Sequence, residues 1–346
     1  MSVLDKQPLG QRRKPHLREP MYFRILLSYW YYGNVDLETK MGETFGDDKT
    51  RWPDVFADSG AFSAWTQNGS VDRGAYAEWL HQWKHLFKVY AGLDVKGDWR
   101  AGLDNQEYLE GKGLAPLPVF HGGEPWELLD DLCATYPYLA LGGLAGNLPN
   151  GSDAHMRFSL RAFEIAAGRT VFHGFGVTSW RELVSFPWYS VDSSTWGNGY
   201  RYGAPPLFDE RHGKLTRCLV GKPADVRKKA GILREMGFDP ADFADRDRNN
   251  RFVNCAAGAM AFMRAERWLR HYWGPIHIPD GSRPQEPGPR VYLVDSAGLG
   301  RNYNFAHAAD GLKLYLVISP GNGFADAGMV FEAMTQGRRR GDETGH

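Results

Sequence analysis

Cysteine is scarce in this chain and scattered. Cys133, Cys218 and Cys255 form no CxxC or CxC pair, so neither a disulfide framework nor a zinc quartet can be read from them. An excess of one charge is missing too. The 41 Lys and Arg residues balance 41 Asp and Glu, for a formal net charge of zero. A global electrostatic case for nucleic acid is therefore excluded, and any such case has to be local. No apolar run approaches the ~18 residues of a membrane span, and the N-terminal stretch has no signal-peptide core. The expectation is a cytoplasmic protein with no membrane partner, no metal and no redox cofactor.

What is present is ordinary in bulk and unusual in order. Of 346 residues, 42% are hydrophobic and 24% charged, which suits a globular protein. The aromatic share is high at 14%, with 12 Trp. Between residues 22 and 196, a short apolar run ending in Gly, Asp, His or Ser recurs. The runs read as strands at 22–29, 54–58, 88–94, 116–121, 138–142, 170–175 and 188–192. They are nearly continuous in Val, Ile, Leu, Phe and Tyr, as in a parallel sheet buried on both faces. Helical spacing separates them at 72–87, 124–136, 155–167 and 179–185. Strand, helix, strand in this rhythm predicts a (β/α)8 TIM barrel, an α/β fold with reactive groups at the carboxyl ends of its strands.

The expected organisation is a basic arm over 1–20, one barrel domain over 21–335 and a frayed tail over 336–346. Within the barrel, an irregular helical elaboration is expected at about 200–288. Residues 197–216 read as a long loop, and 222–236 and 249–273 as helices. Two apolar runs, 290–294 and 312–318, compete for the eighth strand.

The strand ends carry the candidate chemistry. Asp58 ends the second run, followed by Ser59, Gly60 and Phe62. A carboxylate in a partly desolvated mouth can have its pKa raised into the range useful for proton transfer. Gly60 lets backbone pass close to a ligand, and Phe62 is suited to stack on a planar one. The competing reading is that Asp58 caps the next helix. Asp192 ends the seventh run, where a carboxylate can attack a sugar C1′ or stabilise an oxocarbenium ion; it too reads alternatively as a turn residue. Asp94, His121-Gly122-Gly123, Gly142-Gly143-Leu144-Ala145 and His173-Gly174-Phe175-Gly176 end the runs between. A local basic face is formed by Lys222, Arg227, Lys228 and Lys229, with Arg201 ahead of it; an ordinary solvated helix face is the plainer reading.

The order of these motifs resembles the tRNA-guanine transglycosylase superfamily. That family's barrel carries DSGG(F/Y)Q, a strand-end Asp, a QGG or QGS turn, GGLA, a GVG turn and a nucleophilic Asp. The resemblance covers about residues 54–196. It implies that Asp192 is the nucleophile on C1′ and Asp58 the general acid/base. It implies that Phe62 and His173 flank the base and that Asp94 reads its amino and ring N–H edge. Ser59, Gly60, His121, Gly122, Gly142, Gly143, Leu144 and Gly174 would complete the substrate site. Three positions depart from the pattern: Ala61 replaces the second Gly of DSGG, His121 replaces the recognition Gln, and the zinc cluster is missing. The chain is in that respect more similar to the DNA-directed DpdA-type 7-deazaguanine transglycosylases of phages and genomic islands. The implied partners are DNA and a 7-deazaguanine such as preQ0, in a host cytoplasm if the chain is phage-encoded. A homodimer or a helper protein that opens the duplex stays open. So do exchange on tRNA, a hydrolytic N-glycosidase using the same carboxylates, and a non-enzymatic nucleic-acid binder.

Overall fold

The computed structural model describes residues 21–143, 149–246, 249, 251–279 and 287–294. Eight strands form one curled, all-parallel sheet: β1 (Arg24–Ser28), β2 (Asp54–Asp58), β3 (Phe87–Tyr90), β4 (Val119–His121), β5 (Tyr138–Gly142), β6 (Val171–Gly174), β7 (Ser190–Ser193) and β10 (Arg290–Val294). Neighbours run β3-β2-β1-β10-β7-β6-β5-β4. A parallel bridge between Ala91 and Leu117 joins the β3 and β4 edges, with Leu117 N–H donating to the Tyr90 carbonyl at 2.8 Å. The architecture is (β/α)8-barrel-like, with helices in the crossovers. No helix among the described residues is long and apolar enough to cross a membrane.

Alternation along the strands sorts the side chains into two cores. Leu26, Phe56, Val89, Tyr138, Ala140 and Tyr292 pack together as one cluster. Their neighbours Ile25, Leu27, Val55, Leu139, Leu141, Val191 and Leu293 pack into the larger cluster that includes the helices. The same alternation places Ser28, Asp58, Gly142 and Asp192 in phase with the smaller, interior set.

At the opposite, N-terminal ends of the strands the interior is charged. Arg24 pairs with Asp54, and its Nε lies 3.3 Å from Glu266 Oε2. Glu266 also accepts the Val291 N–H at 2.8 Å. Buried charges persist when they are paired and hydrogen-bonded in this way. Glu266 belongs to the helix Arg251–Trp273, which packs against β10. Near its start, this helix presses on the chain just after β7. A Cβ on Gly258 would sit 2.0 Å from the Trp196 carbonyl oxygen.

Helix starts follow their caps. Asp36, Asp72 and Asp98 accept from the backbone N–H groups of Thr39, Ala75 and Ala101, and Ser152 accepts from His155. Pro223 opens the helix Pro223–Glu235.

Two expectations change. The span 197–216 is not a long loop. It holds a short helix, Asn198–Tyr202, and an antiparallel hairpin, β8 (Pro206–Asp209) with β9 (Lys214–Arg217). The hairpin's Phe208 packs against Trp180 and Trp268, which joins it to the larger core. The eighth sheet strand is 290–294, inserted between β1 and β7. The rival run 312–318, the arm 1–20, the tail 336–346 and Leu144 lie outside the described residues.

Candidate active site

Asp58 stands at the last position of β2. Its Oδ2 accepts the Gly60 N–H at 3.0 Å, and the Ser59 hydroxyl accepts the Ala61 N–H at 3.3 Å. The local turn is thus real, as the capping alternative supposed, but Gly60 itself is the N-cap of the helix Ala61–Thr66. Gly60 has φ +75°, and a Cβ there would meet Ser28 Oγ at 2.1 Å and Trp30 Cβ at 2.5 Å. Only glycine fits this close approach between the β1 and β2 ends. Burial pushes the Asp58 carboxyl up to about 7, with the Asp94 carboxylate adding to the shift and Asp192 contributing further. The three strand-end carboxylates therefore share one electrostatic neighbourhood.

Asp192 is not held by its own loop. Ser193 Oγ accepts the Thr195 N–H at 3.1 Å and forms the local turn instead. Asp192 Oδ1 accepts the Gly176 N–H, from the loop after β6, at 2.8 Å. The loop is itself stapled: Asn150 donates to the Gly176 carbonyl and to Thr178 Oγ1, and accepts from the Ser179 N–H. Asp192 is 5% exposed, so nearly all of its surface is fixed by protein.

His173 sits differently from its expected place beside a base. It is fully buried, with its ring centroid 4.5 Å from Phe56 and 4.6 Å from Phe175. Its Nδ1 bonds Ser190 Oγ at 2.7 Å, Ser190 Oγ bonds Tyr138 Oη at 2.6 Å, and Nε2 lies 3.3 Å from Asp192 Oδ1. Burial lowers its pKa, outweighing the pull of Asp192. His173 thus lies against Asp192 in the barrel interior rather than at the mouth. Gly174 is buried too, but faces the larger core: a Cβ there would meet Val177 and Trp188.

Phe62, by contrast, is 59% exposed and meets Trp65 edge-on at 5.9 Å, while Lys96 Nζ lies over the Trp65 ring. An exposed aromatic ring is thus presented on the helix that follows β2. Asp94 bonds His121 Nε2 at 2.7 Å, and His121 Nδ1 bonds Glu124 Oε1 at 3.1 Å. The glycines of the β5 end, Gly142 and Gly143, lie against the His121 ring. Gly122 N–H donates to the Gly142 carbonyl at 3.1 Å and ties β4 to β5.

The basic residues divide. Lys222, Arg227 and Lys228 are exposed at and beyond the start of their helix. Lys229 instead donates to Thr216 Oγ1 at 2.9 Å and holds the helix to the hairpin. Arg201 is half-buried on the helix that follows Asp192. Among the described residues, no group of three or more His, Cys, Asp or Glu is arranged for a metal ion.

Sequence reasoning did not single out Glu124, Ser190, Tyr138 or Asn150 as site residues. Glu124 follows His121 by three positions across a turn, which is the one signal it leaves in the sequence.

Fold and mouth together define a barrel-like α/β protein with Asp58, Asp94 and Asp192 at or just beyond the carboxyl ends of its strands. No protein-family model matches the chain, and no curated protein matches it significantly.

Proposed function

We propose that this chain is a DNA-guanine transglycosylase, exchanging guanine in DNA for a 7-deazaguanine base. The observation that carries the reading is the coupling of Asp58, Asp94 and Asp192, with Asp58 pushed up to about 7. Near neutral pH such a group is partly protonated and can serve as acid and then as base. Asp192, anchored through one oxygen by Gly176, keeps the other for attack.

Asp192 attacks C1′ of the target nucleoside. The C1′–N9 bond breaks, its electron pair leaves with guanine, and Asp58 supplies the proton. A covalent glycosyl-aspartate remains. The incoming 7-deazaguanine attacks C1′ through N9, the bond to Asp192 breaks, and the N9 proton passes to Asp58. The exchange is redox-neutral and each proton is returned. The target base has to leave the stack to reach a barrel mouth, where the exposed Phe62 ring offers a stacking surface. The exposed cations Lys222, Arg227 and Lys228 supply local charge for phosphates.

The test is incorporation of labelled guanine into duplex DNA. Wild-type protein exchanges label, and Asp192→Asn abolishes exchange while keeping the wild-type melting profile. Full exchange by that variant refutes the assignment. Exchange on tRNA alone moves the substrate to RNA. Release of free base without any acceptor identifies a hydrolytic N-glycosidase.

A further inference from the structure

His121 stands where the resembled family has a recognition amide, yet its ring is engaged on both sides. Nε2 is 2.7 Å from Asp94 Oδ2, and Nδ1 is 3.1 Å from Glu124 Oε1. A neutral imidazole carries one N–H and can donate to only one carboxylate. Serving both at once requires the imidazolium. Glu124 also takes the backbone N–H of His121 through Oε2 at 2.9 Å, so it grips the residue by main chain and ring. The surroundings are shaped for that ring. A Cβ on Gly142 would come within 3.1 Å of His121 Cδ2, and one on Gly143 within 3.1 Å of His121 Cβ. Gly143 also has φ +68°, a second reason for glycine there.

We propose that Glu124 is a positioning residue that acts through His121 to fix Asp94 as the reader of a 2-amino-6-oxopurine edge. The inference rests on reading the mouth as a base site and adds how selection is made there. The bond to His121 uses Asp94 Oδ2 and leaves Oδ1 for the ring N–H and amino donors of the base. A 6-aminopurine presents a lone pair at the ring nitrogen and is repelled. The imidazolium offsets the Asp94 carboxylate, which acts on Asp58. Burial opposes a charge on His121, but the bonds to Asp94 and Glu124 outweigh it and carry its pKa up to about 9.

The relay is read directly by nitrogen-15 histidine NMR on the full chain without ligand, with the His121 signal assigned by its loss in His121→Gln. In wild type the imidazolium persists past about pH 8, where an ordinary histidine is neutral. In Glu124→Gln its pKa falls by about one unit or more. Asp94→Asn removes the opposite partner and produces the same fall, which keeps the test intact if the first variant folds poorly. In the exchange assay, Glu124→Gln raises KM for free guanine by on the order of tenfold, with a smaller change in kcat. An unchanged His121 titration in Glu124→Gln overturns the relay, whatever exchange shows. A shifted titration with unchanged KM overturns the recognition role. A shifted titration in a wild-type protein that exchanges no base on DNA or tRNA instead refutes the proposed function, and Asp94 as base reader with it.

Discussion

Replacing Asp58 by Asn should stabilise the protein, and the gain should grow with pH. In the folded protein the Asp58 carboxyl is pushed from its ordinary 3.8 up to about 7, by burial and then by Asp94. Between those two pH values the native state holds a proton that the unfolded chain has released. Stability therefore falls as pH rises across that window, and the loss is complete above about pH 7. A difference of about 3 units at 1.36 kcal/mol each gives about 4 kcal/mol. Asp58 retains some access to water, so 2–4 kcal/mol is the expected range at about pH 8. Asn keeps the size of the side chain and an oxygen for the Gly60 N–H, which isolates the effect of charge. Urea unfolding of wild type and Asp58→Asn at pH 5 and pH 8 measures it. The Asn form should lead modestly at pH 5, which lies inside the window, and by more than twice as much at pH 8. Equal stability at pH 8, or a wild-type advantage that grows with pH, refutes the claim that this mouth holds a strained carboxylate. The strain would be the stability given up for a proton-transfer group.

Two other perturbations probe the frame around the site. Gly258→Ala favours the helix by about 1 kcal/mol but drives a methyl into the Trp196 carbonyl, so a net loss of about 1–2 kcal/mol is expected in urea midpoint, with altered tryptophan fluorescence; a gain in stability overturns the packing described. Ser190→Ala leaves Tyr138 Oη and His173 Nδ1 without their shared partner in a buried setting, and about 1–3 kcal/mol should be lost by the same assay, with no loss refuting that chain of hydrogen bonds.

The strands most legible in the sequence are those buried on both faces. The runs 54–58 and 138–142 coincide with β2 and β5 because their apolar residues are continuous. The helix Trp99–Gly111 left no apolar stripe to find. Its buried contacts include Asn105, which donates to the Leu93 carbonyl at 3.0 Å, and Gln106, which donates to the Pro116 carbonyl at 3.0 Å. Polar side chains there do the anchoring that leucines do elsewhere, so periodicity is silent. The hairpin of β8 and β9 was hidden for a related reason: its second strand, Lys214–Arg217, is only partly covered. At the site, the positions of Asp58 and Asp192 followed from where each continuous apolar run ends. The burial of His173 did not, because it depends on Phe56 and Tyr292 from two distant strands as well as on nearby Phe175. Nor did the choice of eighth strand, since both late apolar runs satisfy the same pattern.

The helix Arg251–Trp273 has contacts at both ends of the barrel. Gly258 is wedged under Trp196, a few residues past Asp192, while Glu266 is clamped to Arg24 and to the backbone of β10. Roughly 12 Å of helix separates the two attachments. The helix therefore works as a tie rod, spanning from the charged floor to the rim. A rod fixed at two points cannot tilt to admit a large ligand without breaking one anchor. For the polymer substrate proposed above, the pieces left to yield at the rim are the shorter ones between β7 and this rod, the segment Asn198–Tyr202 and the β8–β9 hairpin.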